Sequence, residues 1–405
     1  MLSYLLDWLG LLVRWLHMVA GIAWIGASFY FVWLDNHLQP SSDQEPAEAG
    51  VAGELWAVHG GGFYRSQKYR LAPRQLPATL HWFYWEAYTT WLSGFGLLCL
   101  LYFLHAEAYL MDPAVALLSK PAAIGVAVLV LVASWLIYDA LCRSALGRRT
   151  VALSSVLGLL FTAEAWALCR LFSGRGAFMM FGSALGTIMV ANVLFVIIPG
   201  QRELVHAKQQ GREPDPAHGV RGKQRSIHNT YFTLPVLFVM ISNHYAMTYG
   251  ARYNWLVLTA ISFAGVCIRA WFVARHRVSE GAGLLPALPA LLGALTLAAV
   301  VVALAPSRGR GAADSRIAAR ADELADVQRI VAQRCAPCHA AKPTQAGFAA
   351  APNGVLLESI DQIKAHLPQM QQQLSTRAMP PGNLTSMTSE ERASVLAWIG
   401  HAAIP

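Results

Sequence analysis

The sequence predicts an all-α protein in which eight membrane-spanning helices are followed by a small helical domain. Three observations carry that reading. Only 13% of the 405 residues are charged and 55% are hydrophobic, against roughly 25% charged in soluble chains. Eight apolar runs reach the ~20 residues that a span needs. The stretch 320–405 turns polar again and holds the only close cysteine pair, Cys335 and Cys338.

The apolar runs fall at about 10–34, 82–104, 121–141, 151–172, 178–199, 229–247, 254–274 and 284–305. The first is too long and too rich in Trp, Arg and His for a cleaved signal peptide, and is expected to be a retained helix. Cys99, Cys142, Cys169 and Cys267 lie in or beside these runs, where a lone cysteine behaves as a small hydrophobe.

Loop charge sets the expected orientation. The odd-numbered connections carry Arg65, Lys68, Arg70, Arg74, Arg143, Arg148, Arg149, Arg202, Lys208, Arg212, Arg221, Lys223, Arg225, Arg275 and Arg277, and the even-numbered ones only Lys120, Arg170, Arg175 and Arg252. Positive loops stay in the cytoplasm. Both termini are therefore expected on the periplasmic face of a bacterial inner membrane. The net charge of +8 is topological, and a nucleic-acid partner is not needed to explain it.

Residues 1–306 thus form the membrane domain, 307–319 ("SRGRGAADSR" and its flank) a linker, and 320–405 a globular domain. The tail opens on the amphipathic "ARADELADVQRIVAQR" and closes on "TSEERASVLAWIGHA", which begins with an S/T-x-x-E capping signal. A domain this small needs a staple.

C-A-P-C-H at 335–339 has the spacing of a c-type heme attachment site. Two thiols on one turn add to the porphyrin vinyl groups, and His339 follows as axial ligand. A zinc ribbon would want a second Cys/His pair, and a thioredoxin-like pair would want a βαβ setting. Met379 in "RAMPPGNL" is the expected second ligand, ahead of Met370 and Met387, and thioether ligation raises the potential. The expected fold class is an eight-helix transmembrane bundle fused to a small class I-like cytochrome c domain. Covalent heme attachment occurs outside the cytoplasm, in agreement with the loop charges.

Ionisable groups inside spans are functional candidates. His17 shares a helical stripe with Arg14, Gly21, Trp24 and Ser28, and small residues allow a flat ring to approach a backbone. His17 is therefore a candidate ligand of a second heme, a heme b in the membrane domain. A histidine hydrogen-bonded inside the bundle is the plainer reading of the same residue. His228 and His244 are sixteen residues apart, about 24 Å along a helix, and cannot share one iron. His81, Glu86, Asp139, Arg202, His228 and Arg269 gather on the inner side, and His17, His105 and His244 on the outer.

The segments "RWLHMVAGIAWIGASFYFVWLDN", "WEAYTTWLSG", "MVANVLFVIIPGQR", "HNTYFTLPVLFVMISNHY", "CAPCH" and "MPPGN" together resemble the membrane-bound, cytochrome c-linked urate oxidases over nearly the whole chain. The first segment is also similar to helices of heme-binding membrane proteins of the copper-resistance and protoporphyrinogen-oxidase type. The resemblance implies oxidation of urate to 5-hydroxyisourate, within purine degradation, with electrons passed to the cytochrome tail rather than to oxygen to form peroxide. It also implies a downstream electron acceptor, such as a soluble cytochrome c or a terminal oxidase.

On that reading Glu86 is the expected base, with His228, Asn229 and Arg202 binding the substrate anion. Electrons from an inner site would have to cross about 30 Å of hydrocarbon. Either a second cofactor or a substrate site near His17 and His244 is then needed. A quinol-linked electron carrier and a heme-bearing transporter or sensor are the alternatives.

Overall fold

The computed structural model describes residues 2–41, 50–275, 287–305, 319–348 and 350–402. Apart from residue 319, the expected linker lies outside them.

Each of the eight apolar runs holds a helix. They are α1 (Leu2–His37), α2 (Trp85–Leu97, continued by a π turn Leu98–Phe103), α3 (Lys120–Arg143), α4 (Thr150–Leu171), α5 (Gly174–Gln209, with a π turn at Val193–Ile197), α6 (Pro216–Ser242), α7 (Asn254–Ala274) and α8 (Leu288–Ala303). Five of these, α1, α3, α4, α5 and α7, are long and apolar enough to cross a membrane. Helix α8 is apolar but short, α2 is broken by its π turn, and the first third of α6 is polar.

α6 starts thirteen residues before its apolar run. The Asp215 carboxylate accepts from the Ala217 amide at 2.9 Å and Pro216 occupies the first turn, a strong start signal. Arg221, Lys223 and Arg225 therefore stand on a helix rather than in a loop. Arg225 is buried inside the bundle.

The fold is not purely α. Val51–His59 (β1) and Gly62–Tyr69 (β2) form an antiparallel hairpin turned at Gly60 and Gly61, both with positive φ. Glu54 opposite Gln67 and Trp56 opposite Arg65 set its register. Arg65 pairs with Glu54 at 2.7 Å, and Lys68 ties the hairpin to Asp35 at the end of α1.

α5 is the centre of the bundle, packed by α3, α4 and α6. Gly182 makes the α5–α6 approach possible, because a Cβ there would meet the Val239 side chain at 2.5 Å. α1 lies on α2, α8 lies on α7, and α7 also touches α4 and α6. The chain runs alternately between a hairpin end and the opposite end, here called the tail end.

The tail comprises α9 (Ala319–Arg334), α10 (Ile360–Ala365), α11 (Leu367–Ser375) and α12 (Ser389–Ala402). It has its own core of Val327, Ile330, Val331, Leu357, Met370, Met387 and Ile399. The segment 376–383 seats on the bundle: a Cβ on Gly250 would overlap the Thr376 carbonyl, and one on Gly382 would overlap that of Glu107. Ala378 packs against the bundle core.

Candidate functional site

A polar network crosses the bundle near the hairpin end. Arg225 of α6 donates to Asp139 of α3 at 2.7 Å, and Arg143 closes the other Asp139 oxygen at 2.6 Å. The Asn192 amide of α5 donates to the Tyr138 hydroxyl at 3.1 Å and to Asn229 Oδ1 at 2.9 Å. Asn229 in turn donates to the Met189 carbonyl. The Tyr138 hydroxyl donates to His228 Nδ1 at 2.7 Å.

Helical spacing explains the assembly. Arg225, His228 and Asn229 fall at i, i+3 and i+4 on α6, one stripe facing α3 and α5. The chain of donors from Asn192 through Tyr138 leaves His228 with Nδ1 as acceptor, so Nε2 carries the proton and can donate outward. Asn229 is satisfied at both ends of its amide. It orients its neighbours and has little left to offer a ligand.

The other two expected site residues are not in this network. Glu86 is half-buried in the first turn of α2, and its carboxylate makes no hydrogen bond or ion pair among the described residues. Arg202 is exposed on α5 beside Tyr88 of α2. The structure thus brings His228 and Asn229 together, and sets Glu86 and Arg202 on the neighbouring α2–α5 seam. Tyr138, Asn192 and Arg225 were missed as site residues. Tyr138 and Arg225 were legible in principle, as a Tyr-Asp pair in a span and a cation three residues before His228.

His17 sits about midway along the bundle. Its Nδ1 donates to the Thr90 carbonyl at 2.9 Å, with Ser93 Oγ at 3.2 Å. Its ring fills the space that a Cβ on Gly94 would take, and Thr90 approaches Gly21. The small residues here serve the α1–α2 contact, and among the described residues Nε2 of His17 has no hydrogen-bond partner.

In the tail, Cys335 and Cys338 are free thiols on one helical turn, with the His339 amide bonded to the Cys335 carbonyl. His339 Nδ1 donates to the Val355 carbonyl at 3.0 Å, which fixes the tautomer and leaves Nε2 bare for a metal. Met370 and Met387 are buried in the tail core, whereas Met379 stands half-exposed outside it. The Met379 carbonyl accepts from Arg392 at 2.6 Å. These donors could hold a thioether-linked heme with His339 and Met379 as axial ligands. A cleft of about 300 Å³ opens beside the turn, lined by Ala332, Ala336, Leu357 and Ile363 among others.

The sequence model described as "Urate oxidase N-terminal" matches residues 3–305. The chain belongs to the urate oxidase N-terminal family. No curated protein and no solved structure matches it. The family region ends where the bundle ends, so the whole tail lies beyond it, and all three helices of the buried network of this urate oxidase family member, α3, α5 and α6, lie within it.

Proposed function

We propose that the protein oxidises urate to 5-hydroxyisourate in its helical bundle, consuming water and releasing two protons, with the two electrons leaving to a heme c on the tail. The observation that carries this reading is the family match over residues 3–305 on a chain that continues into Cys335, Cys338 and His339. A heme c bound there supplies a one-electron acceptor. In this reading the eight helices of the bundle, five of them long and apolar enough to cross on their own, span a bacterial inner membrane, the tail is a periplasmic cytochrome c domain, and its electrons go on to a soluble cytochrome c or terminal oxidase.

The bundle's own residues divide the work. Arg202, exposed at the hairpin end, offers a cation to an arriving urate anion. His228 holds Nε2–H as a donor to a purine carbonyl, kept in that tautomer by Tyr138. Glu86 has a carboxylate uncommitted to any described neighbour and takes the proton. Asn229 and Asn192 hold His228 and Tyr138 in place. The network lies 18 residues from the tail-end start of α5, about 27 Å by helical rise. His17, about midway and with Nε2 unpartnered among the described residues, is the residue that would hold a heme b, which would supply a one-electron relay there.

The test is anaerobic addition of urate to the purified, heme-loaded protein while the heme absorption bands are followed. Reduction of two hemes for each urate added is expected, because urate gives two electrons and each heme takes one. Bands unchanged by urate, but reduced by quinol, would overturn the proposal in favour of an electron carrier.

A further inference from the structure

Arg269 is the feature that the network leaves unexplained. It lies on the inward face of α7, is only 8% exposed, and among the described residues its Nε has no hydrogen-bond partner. Among the described residues no carboxylate pairs with it. Arg225, by contrast, is neutralised by Asp139 at 2.7 Å. A buried, unpaired guanidinium in a span is costly and calls for an anionic partner.

The surroundings define what that partner looks like. The guanidinium carbon stands 3.6 Å from the centre of the Phe29 ring of α1, so one face of the cation is covered. Stacking leaves the in-plane N–H groups free, and those form the planar fork that binds two adjacent acceptors. Tyr231 of α6 is its electrostatic neighbour, and Ser28 and Thr230 join α1 to α6 beside it at 3.4 Å. One turn towards the tail end, Gly265 of α7 lies so close to α6 that a Cβ there would meet Leu234 and Pro235 at 3.1 and 3.3 Å.

We infer that Arg269 is the anchor of an anion-binding site between α1, α6 and α7, and that its ligand is a planar heterocyclic anion. The inference rests on the urate reading. Urate monoanion presents a deprotonated ring nitrogen beside a carbonyl oxygen, a flat two-acceptor edge that matches the fork. His228 lies on the same helix α6, two and three residues before Thr230 and Tyr231.

The test is equilibrium dialysis of radiolabelled urate against full-length, heme-loaded protein that has first been fully reduced, so that urate binds without being consumed. Arg269→Gln is expected to raise Kd by roughly 10- to 100-fold, with partial recovery in Arg269→Lys. Arg269→Met serves where Arg269→Gln fails to fold, and thermal unfolding is expected to be unchanged or raised, because an unpaired buried charge is removed. Binding of an uncharged purine of the same outline is expected to change little. A variant that binds urate within about twofold of the native protein overturns the Arg269 site and leaves the urate reading standing. A native protein that neither binds urate nor is reduced by it overturns both.

Discussion

Arg225 on α6 and Asp139 on α3 form an ion pair of 2.7 Å whose arginine side chain is 3% exposed. The pair joins two helices far apart in sequence and positions Tyr138 and His228, each adjacent to one partner. Removing one charge strands the other. Asp139→Asn is expected to destabilise the bundle by about 3–5 kcal/mol, measured as a lowered unfolding temperature in detergent. The double change Asp139→Leu, Arg225→Met is expected to recover most of that loss. Stability of the single variant equal to the native protein would mean that the pair is not buried in the membrane.

Tyr138 reaches His228 through one hydroxyl. Tyr138→Phe keeps the ring between Arg225 and Phe232 but releases the imidazole tautomer. The urate-dependent rate of heme reduction is expected to fall about tenfold with little change in stability, and His228→Gln to fall further, roughly 100-fold. Stopped-flow absorbance reads both.

Glu86→Gln removes the proposed base without removing any contact with a described residue. Heme incorporation and urate binding are expected to persist while the rate falls by about 100-fold or more. A normal rate would remove Glu86 from the mechanism.

Three methionines follow the cysteine pair, and the structure separates them. Met370 and Met387 are buried packing residues; Met379 is not in the core. Met379→His is expected to lower the reduction potential while covalent heme is retained. Met387→Ala is expected to lower stability by about 2–5 kcal/mol instead, with the potential nearly unchanged. Redox titration and thermal melts distinguish the two.

The tail also has an acid-sensitive tie. The Arg334 guanidinium at 2.9 Å holds the Glu391 carboxyl below its ordinary value of 4.5. A carboxylate with a depressed folded pKa stabilises the fold fully above the unfolded value, and that stability drains away as pH falls through the folded one. Thermal stability of the tail is therefore expected to decline below about pH 4.5, and Glu391→Gln to flatten that decline while lowering stability at neutral pH. An unchanged acid limb in the variant would show that the tie contributes nothing.

Much of this was legible because it is local. Each apolar run became a helix because ~20 consecutive apolar residues leave the backbone no better way to satisfy its hydrogen bonds in hydrocarbon. The C-A-P-C-H turn is local too: its spacing alone places two thiols and a histidine on one turn. The hairpin was overlooked, although the alternation in "VAGELWAVH" and the Gly60–Gly61 turn signal it. Its second strand is rich in polar and charged residues, which mask the alternation.

The sequence by itself determined which segments are apolar, where the cysteine turn lies and which ionisable groups enter the bundle, since periodicity and spacing are properties of neighbours along the chain. The tertiary structure alone decided that Arg225 is neutralised while Arg269 is not, and that His228 meets Tyr138 rather than Glu86. It also decided that the Met379 segment seats on the bundle. Those outcomes depend on helix rotation and on close approaches at Gly182, Gly250 and Gly382, where contacts come from residues tens to hundreds of positions apart.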